Sequence, residues 1–303
     1  MLLLLVAALC ALLSYAMWPR KTWDAKGKSV LITGGSQGLG LALARQLCAQ
    51  GANIVLCSRT EAKLNEAVQQ VKHISYVVAD VSTFPGAASA VAQCPFTPDA
   101  VFCCAGGAKP GMFLEHTAQD FEASMRTDYM TALATAHASA RAMRAAGRSG
   151  KIVFVSSVLG LMGMVGYTQY SPMKYAIRGL GECLRSEFQL YGIGVHTYFP
   201  ATILSPGYEQ ENKTKPAITK KLEEGDEKKS PEACAACLVR GVERGHFSIT
   251  DGLIGNFLRV ASDGSAPGNG FLVDLASQTF ARIALVAWRR FIADRTIRAH
   301  GVD

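Results

Sequence analysis

Residues 29–40 read "SVLITGGSQGLG", and this stretch decides the fold. Ser29–Thr33 is a short apolar run of strand length, a glycine-rich turn follows, and helical periodicity starts at Gly38. Glycines between a strand and a helix N-terminus make a cradle for a pyrophosphate. Gly34 permits the tight turn, Gly38 lets backbone amides approach an anion, and Gly40 lets helix and turn pack closely. Ser36 and Gln37 complete this candidate cofactor-binding loop, to which the helix N-terminus adds partial positive charge. The GxxxGxG spacing differs from the commoner GxGxxG.

Outward from this motif the strand–helix alternation repeats. "NIVLCS" (53–58), "ISYVVA" (74–79), "AVFCC" (100–104), "KIVFVS" (151–156) and "GVHTYF" (194–199) read as strands, with "FSIT" (247–250) a seventh. Most are continuously apolar, as parallel strands covered on both faces are. Helical periodicity fills the intervals, for example 117–146 and 170–191. The pattern predicts an α/β fold over residues 27–250: a Rossmann-type doubly wound parallel sheet of about seven strands. Within it, 205–229 is polar and lysine-rich, shows no strand signal, and is expected to form a substrate flap over the carboxyl edge of the sheet.

Both ends of the chain differ from this core. Residues 1–17 ("MLLLLVAALCALLSYAM") carry no charge, and Arg20, Lys21, Lys26 and Lys28 come next with Asp24 opposing them. Seventeen helical residues span about 26 Å, close to the hydrocarbon thickness of a thin bilayer. A transmembrane anchor over 1–18 is the preferred reading. A cleaved signal peptide is its rival, but that would want a basic n-region, and here the leucines begin at position 2. The basic residues after the run place the remaining chain on the cytosolic side. Residues 251–303 contain a long apolar helix pattern from 271 onward, interrupted by Asp274 and Arg282, with five arginines between 282 and 298. That suits an amphipathic helix lying in the headgroup region, with packing on the core or on a dimer partner as the alternative.

Hydrophobic residues make up 49% of the 303, charged ones 18%, and the net charge is +7. The basic surplus is not interleaved with aromatics as a nucleic-acid surface would be, so a membrane surface explains it better. Nine cysteines without framework spacing fit a reducing compartment, and neither Cys234 with Cys237 nor the six histidines suggest a metal site.

The end of the second strand sets cofactor choice. An acid there holds ribose hydroxyls, whereas a cation receives a 2′-phosphate. This chain has Arg59, with Lys63 one helical turn later, so NADPH is the expected cofactor. Asp80 and Val81, ending the third strand, are placed to bracket the adenine.

"YSPMK", 170–174, puts a phenol and an ammonium on one helix face. Ser157 stands thirteen residues earlier, at the end of the fifth strand. The three suit carbonyl reduction. Ser157 would hold the carbonyl and Tyr170 would donate a proton as hydride arrives from the nicotinamide. Lys174 would lower the phenol's pKa and reach the ribose. Ser156 is the alternative serine.

Together these stretches resemble the short-chain dehydrogenase/reductases over roughly 28–250. "CCAG" (103–106) stands where that family usually has NNAG, and "PATILS" (200–205) where it has PGxxxT, which implies that Ile203 meets the nicotinamide carboxamide. The family's fourth catalytic residue, an asparagine holding a relay water, falls on Asp128 in "MRTDYM". Aspartate cannot donate as asparagine does, and Asp128 is not counted among the catalytic residues.

Within that superfamily the N-terminal segment, "GGSQG", "YSPMKYAIRGLGECLRSE", "NKTKP" and "ITDGLIGNFL" are similar to the 3-ketodihydrosphingosine reductases. The resemblance implies NADPH-dependent reduction of the 3-keto group of 3-ketodihydrosphingosine in sphingolipid synthesis. It places the reaction at the endoplasmic reticulum membrane, with the catalytic domain facing the cytosol. Implied partners are a long-chain sphingoid ketone, membrane lipid and further copies of the chain, as a homodimer or homotetramer. Met162, Met164 and Tyr167 are candidates to line an alkyl-tail pocket, or core residues. A membrane-bound reductase of a steroid or retinoid ketone, and a non-catalytic NADPH-binding scaffold, remain alternatives.

Overall fold

The first half of the fold alternates strictly: β1 (Ser29–Thr33), α1 (Gly38–Ala49), β2 (Asn53–Ser58), α2 (Glu61–Gln70), β3 (Ile74–Val78), α3 (Phe84–Ala92) and β4 (Ala100–Cys103). The second half runs through α4 (Ala118–Ser124), α5 (Thr131–Ala145), β5 (Gly150–Val155), α6 (Ser171–Glu187) and β6 (Ile193–Phe199). It continues with β7 (Thr202–Ile203), α7 (Pro206–Thr214), α8 (Ala217–Leu222), β8 (Lys228–Lys229), α9 (Pro231–Glu243) and β9 (Ser248–Thr250). Three helices close the chain: α10 (Gly252–Ser262), α11 (Phe271–Trp288) and α12 (Asp294–His300). The computed structural model describes residues 23–71 and 74–300, so the expected anchor at 1–18 lies outside the described residues.

The main sheet has seven parallel strands in the order β3-β2-β1-β4-β5-β6-β9. Strand order reverses direction between β1 and β4, and open α/β sheets bind ligands at the carboxyl ends beside such a switch. Both faces are covered. On one, Leu43 and Leu47 of α1 meet Leu238 and Val242 of α9 under Val30 and Ile32 of β1. On the other, Ala87 of α3, Ala134 of α5 and Ile177 of α6 pack on Leu31, Val101 and Phe154. This double burial is why the strands read as continuous apolar runs.

Local chemistry sets the helix ends. Thr83 caps α3 by accepting from the Gly86 amide at 3.1 Å, and Pro172 lies in the first turn of α6, where no amide is lost. Gly181 lets α6 approach the sheet, since a Cβ there would come 2.6 Å from Thr197 Oγ1.

Two segments depart from expectation. The flap forms α7 and α8 and ends in β8, which pairs in parallel with β7 through Thr202↔Lys228 and Ile203↔Lys229. This two-residue strand consists of two lysines held by backbone pairing to Thr202 and Ile203, so hydropathy carried no trace of it. At the C-terminus, Asp274 does not simply interrupt an apolar run. It lies 2.5 Å from the guanidinium of the buried Arg259, which also meets Asp263 at 3.0 Å, and so ties α11 to α10. Among the described residues, no helix is long and apolar enough to cross a membrane. The outer side of α11 exposes Val273, Phe280, Ile283 and Val286.

Candidate active site

A cavity of about 1230 Å³ opens at the carboxyl ends of the strands. One end is walled by the glycine turn. Gly34 has φ +69°, and a Cβ there would lie 2.7 Å from the backbone nitrogen of Ala105. At Gly40 a Cβ would lie 2.4 Å from the Gly34 carbonyl oxygen, so turn and helix touch only because Gly40 has no side chain. The first turn of α1 contains no acid, and Gln37, its N-cap, makes no side-chain cap. Its amides are therefore left for an anion, and the cradle fits a dinucleotide pyrophosphate.

Ser36, Gln37, Arg59, Lys63, Asp80 and Val81 all border this end of the cavity. Lys63 Nζ lies 3.5 Å from Gln37 Oε1, which holds the ammonium over the turn. Asp80 accepts from the Ser82 amide at 3.0 Å. That bond, with further help from Arg59 and Arg126, keeps its carboxyl below the usual range. Arg126 is a third cation at this end that the sequence did not single out; it comes from the helix carrying Asp128, far from the glycine motif in the chain.

At the other end stand Ser157, Tyr170 and Lys174. Ser157 follows β5; its hydroxyl accepts from the Leu159 amide at 3.1 Å, and its nearness to Tyr170 slightly lowers the phenol. Ser156 turns away, donating to the Lys174 carbonyl at 2.9 Å. Tyr170 is the N-cap residue of α6, and Lys174 lies one turn in, its Nζ 5.1 Å from the centre of the phenol ring. Lys174 also donates to the Val155 carbonyl at 3.3 Å. Ile203 borders the cavity beside them, and the neighbouring Leu204 amide carries the 2.8 Å bond to Lys229.

Electrostatics here differ from the expectation of an acidified phenol. Burial pushes Tyr170 up to about 12; Lys174 opposes this, while Asp128 and Glu211 add to it. Burial alone would lower Lys174, but Tyr170 and Asp128 hold it above the ordinary lysine value. Asp128 lies in a π-helical turn, Met125–Met130, between α4 and α5. Its Oδ1 is 3.3 Å from Lys174 Nζ and 3.1 Å from the Gly107 amide nitrogen. Burial raises the Asp128 carboxyl against the pull of Lys174.

Met162, Met164 and Tyr167 border the cavity, but Tyr167 is no plain apolar wall. Its hydroxyl lies 2.6 Å from Glu211 Oε1 and 2.7 Å from Glu223 Oε1. Lys215 Nζ meets the same two carboxylates at 3.0 and 2.6 Å. The "NKTKP" motif contains Lys215, but nothing in its spacing pairs that lysine with either carboxylate.

The short chain dehydrogenase family profile matches residues 28–216. A 3-ketodihydrosphingosine reductase of Cryptococcus neoformans var. neoformans serotype D (strain B-3501A) is 39% identical over 98% of this chain and 93% of its own. One from Yarrowia lipolytica (strain CLIB 122 / E 150) is 35% identical, over 93% and 80%.

The chain belongs to the 3-ketodihydrosphingosine reductases, within the short-chain dehydrogenases.

Solved structures agree on the fold. A short chain dehydrogenase from Burkholderia cenocepacia J2315 in complex with NADP superposes with TM-score 0.68 at 20% identity, covering 80% of this chain and 97% of that one. A short-chain dehydrogenase from Sphingobium yanoikuyae in complex with NADPH gives 0.65 at 21%, covering 74% and 87%. In this reductase the cavity continues beyond β6, between α10 and α11, past Leu253, Ile254, Phe257, Leu285 and Trp288.

Proposed function

We propose that the protein reduces the 3-keto group of 3-ketodihydrosphingosine to dihydrosphingosine with NADPH. One observation carries the reading. Ser157, Tyr170 and Lys174 converge in a cavity whose far side runs between the apolar helices α10 and α11. When bound, NADPH supplies the hydride, with Gly34, Ser36, Gln37, Gly38 and Gly40 around its pyrophosphate and Asp80 and Val81 at the adenine. Arg59 and Lys63 receive the 2′-phosphate, and Ile203 lies toward the carboxamide.

The reaction then follows from this chain's own groups. Ser157, positioned by the Leu159 amide, hydrogen-bonds the ketone oxygen. As the carbonyl carbon gains the hydride, its π bond opens, and the oxygen takes the proton of Tyr170. Lys174 balances the phenolate left behind, and a solvent proton restores the phenol.

The substrate's tail explains the outer surface. Each methylene withdrawn from a bilayer costs about 0.8 kcal/mol, so a long alkyl chain resists leaving by roughly 10 kcal/mol. We read residues 1–18 as an anchor and 251–303 as a membrane-associated segment. The exposed side of α11 would face the lipid, beside the cavity's apolar end, on the cytosolic side of the endoplasmic reticulum. Residues 27–250 are the catalytic unit, with 205–229 as the flap over it. Pairing through α5 and α6 would give a dimer or tetramer.

NADPH oxidation by detergent-solubilised protein, with product mass, tests the reading. 3-Ketodihydrosphingosine should be converted to dihydrosphingosine. Turnover of a steroid ketone with none of the sphingoid ketone would overturn it.

A further inference from the structure

Asp128 is wholly buried, and its surroundings are built around its charge. Oδ1 faces Lys174 Nζ at 3.3 Å and the Gly107 amide at 3.1 Å, and Oδ2 lies 3.4 Å from Ser124 Oγ. Gly106 makes room for the pair: a Cβ there would lie 2.7 Å from Oδ1 and 3.3 Å from Nζ. The π turn supplies the remaining adjustment, a local widening that helices use at functional positions. A carboxylate therefore touches the catalytic ammonium directly, with no space for a bridging water between them.

The charged groups around Tyr170 come from three elements. Lys174 belongs to its own helix, Asp128 to the π turn, and Glu211 to α7. Glu211 is already balanced by Lys215 at 3.0 Å. Asp128 has Lys174 itself as its cation, and Lys174 is in turn influenced by Cys104, which follows β4 and borders the cavity. After burial, the charges that weigh most at Tyr170 are those of the Asp128–Lys174 pair.

Resting on the reading of Tyr170 as proton donor, we propose that Asp128 is a positioning residue that sets the protonation state of Tyr170. Paired with Lys174, it cancels the charge that would favour phenolate and so holds Tyr170 in the protonated form that reduction consumes. Each ketone reduced takes one hydride and one proton. The reverse oxidation needs the phenolate as base, which a lone ammonium would favour. Burial of the phenol acts in the same direction as Asp128.

Two measurements on full-length protein in detergent decide it. Tyrosinate absorbance is titrated for the wild type and for Asp128→Asn, each against its Tyr170→Phe counterpart, so that the difference reports Tyr170 alone. Removing the negative charge should move this titration down by about one pH unit or more. In parallel, the rate of ketone reduction should hold through the alkaline range in the wild type and fall off in Asp128→Asn. Near pH 8 the phenolate fraction of Tyr170 in the variant, read from the same titration, should be about tenfold that of the wild type, the population change that matches such a move.

Superposable titrations and pH profiles would overturn the proposal. Should Asp128→Asn not fold, Asp128→Glu keeps the charge and should keep the wild-type titration; a downward shift there would equally overturn it. Absence of ketone turnover by the wild type would count against the reductase reading, while the titration would still decide the role of Asp128.

Discussion

Lys215 Nζ lies 2.6 Å from Glu223 Oε2, although both residues come from a stretch that hydropathy reads as a loose polar flap. With Glu211 and Tyr167 they form a largely buried network that pins α7 and α8 to the loop after Ser157. Lys215→Ala would leave two carboxylates uncompensated beside Tyr167. We expect a loss of about 3 kcal/mol, the usual cost of breaking a buried pair from one side. Lys215 is raised: burial alone would lower it, but Glu223 and Glu211 outweigh this. The pair's contribution is therefore complete below the ordinary lysine range and is lost as pH climbs through the raised value. Thermal melts of wild type and variant should differ at neutral pH and converge only in strong alkali. A neutral-pH difference near zero would refute the network's role.

Arg59 and Lys63 are exposed at the rim of the cofactor end. Arg59→Ala should raise the KM for NADPH about 10- to 100-fold, the value of one charge-assisted contact, with little change in kcat. The KM for NADH should stay where it is. Equal loss with both cofactors would place Arg59 away from the 2′-phosphate.

Asp263 offers a pH test of the C-terminal helices. Burial raises its carboxyl from 3.8 to about 6, Arg259 opposing and Asp274 adding to the rise. A carboxyl raised on folding binds more protons when folded, so stability falls as pH rises through that window and the cost is complete above it. Asp263→Asn should therefore compare more favourably with the wild type at pH 7.5 than at pH 4, read as the difference in Tm. The opposite ordering would show that the Arg259 pair dominates.

Ile283 and Val286 project from α11 with more than half their surface exposed. Replacing both with Gln should leave the fold and the turnover of a short-chain, water-soluble ketone unchanged. Reduction of a long-chain ketone held in vesicles should fall about tenfold or more, since each buried aliphatic side chain is worth roughly 1.5–3 kcal/mol. An equal effect on both substrates would argue for packing within the protein instead of lipid contact.

The contrast between these groups explains what could be read from the chain. The glycine turn, Ser157, Tyr170 and Lys174 were legible because strand ends and helix first turns fix their separations along the backbone. The strands were legible because burial on both faces leaves an unbroken apolar run. Asp128 was visible as a departure, but its contact with Lys174 depends on a π turn and on Gly106, neither of which hydropathy records. Lys215 and Glu223 looked like solvated charges because pairing, not composition, lets Lys215 be buried and Glu223 partly so. Tyr167 is separated from Glu223 by 56 positions, so no local pattern could join them.

The proton of Tyr170 is the centre of the account, and single-turnover reduction of 3-ketodihydrosphingosine by Tyr170→Phe measures it most directly. Cofactor binding should be retained, since Arg59, Lys63 and the glycine turn are untouched. The rate of NADPH consumption in the first turnover should drop by about 10²–10⁴, the usual worth of a general acid. A first-turnover rate equal to that of the wild type would contradict the mechanism.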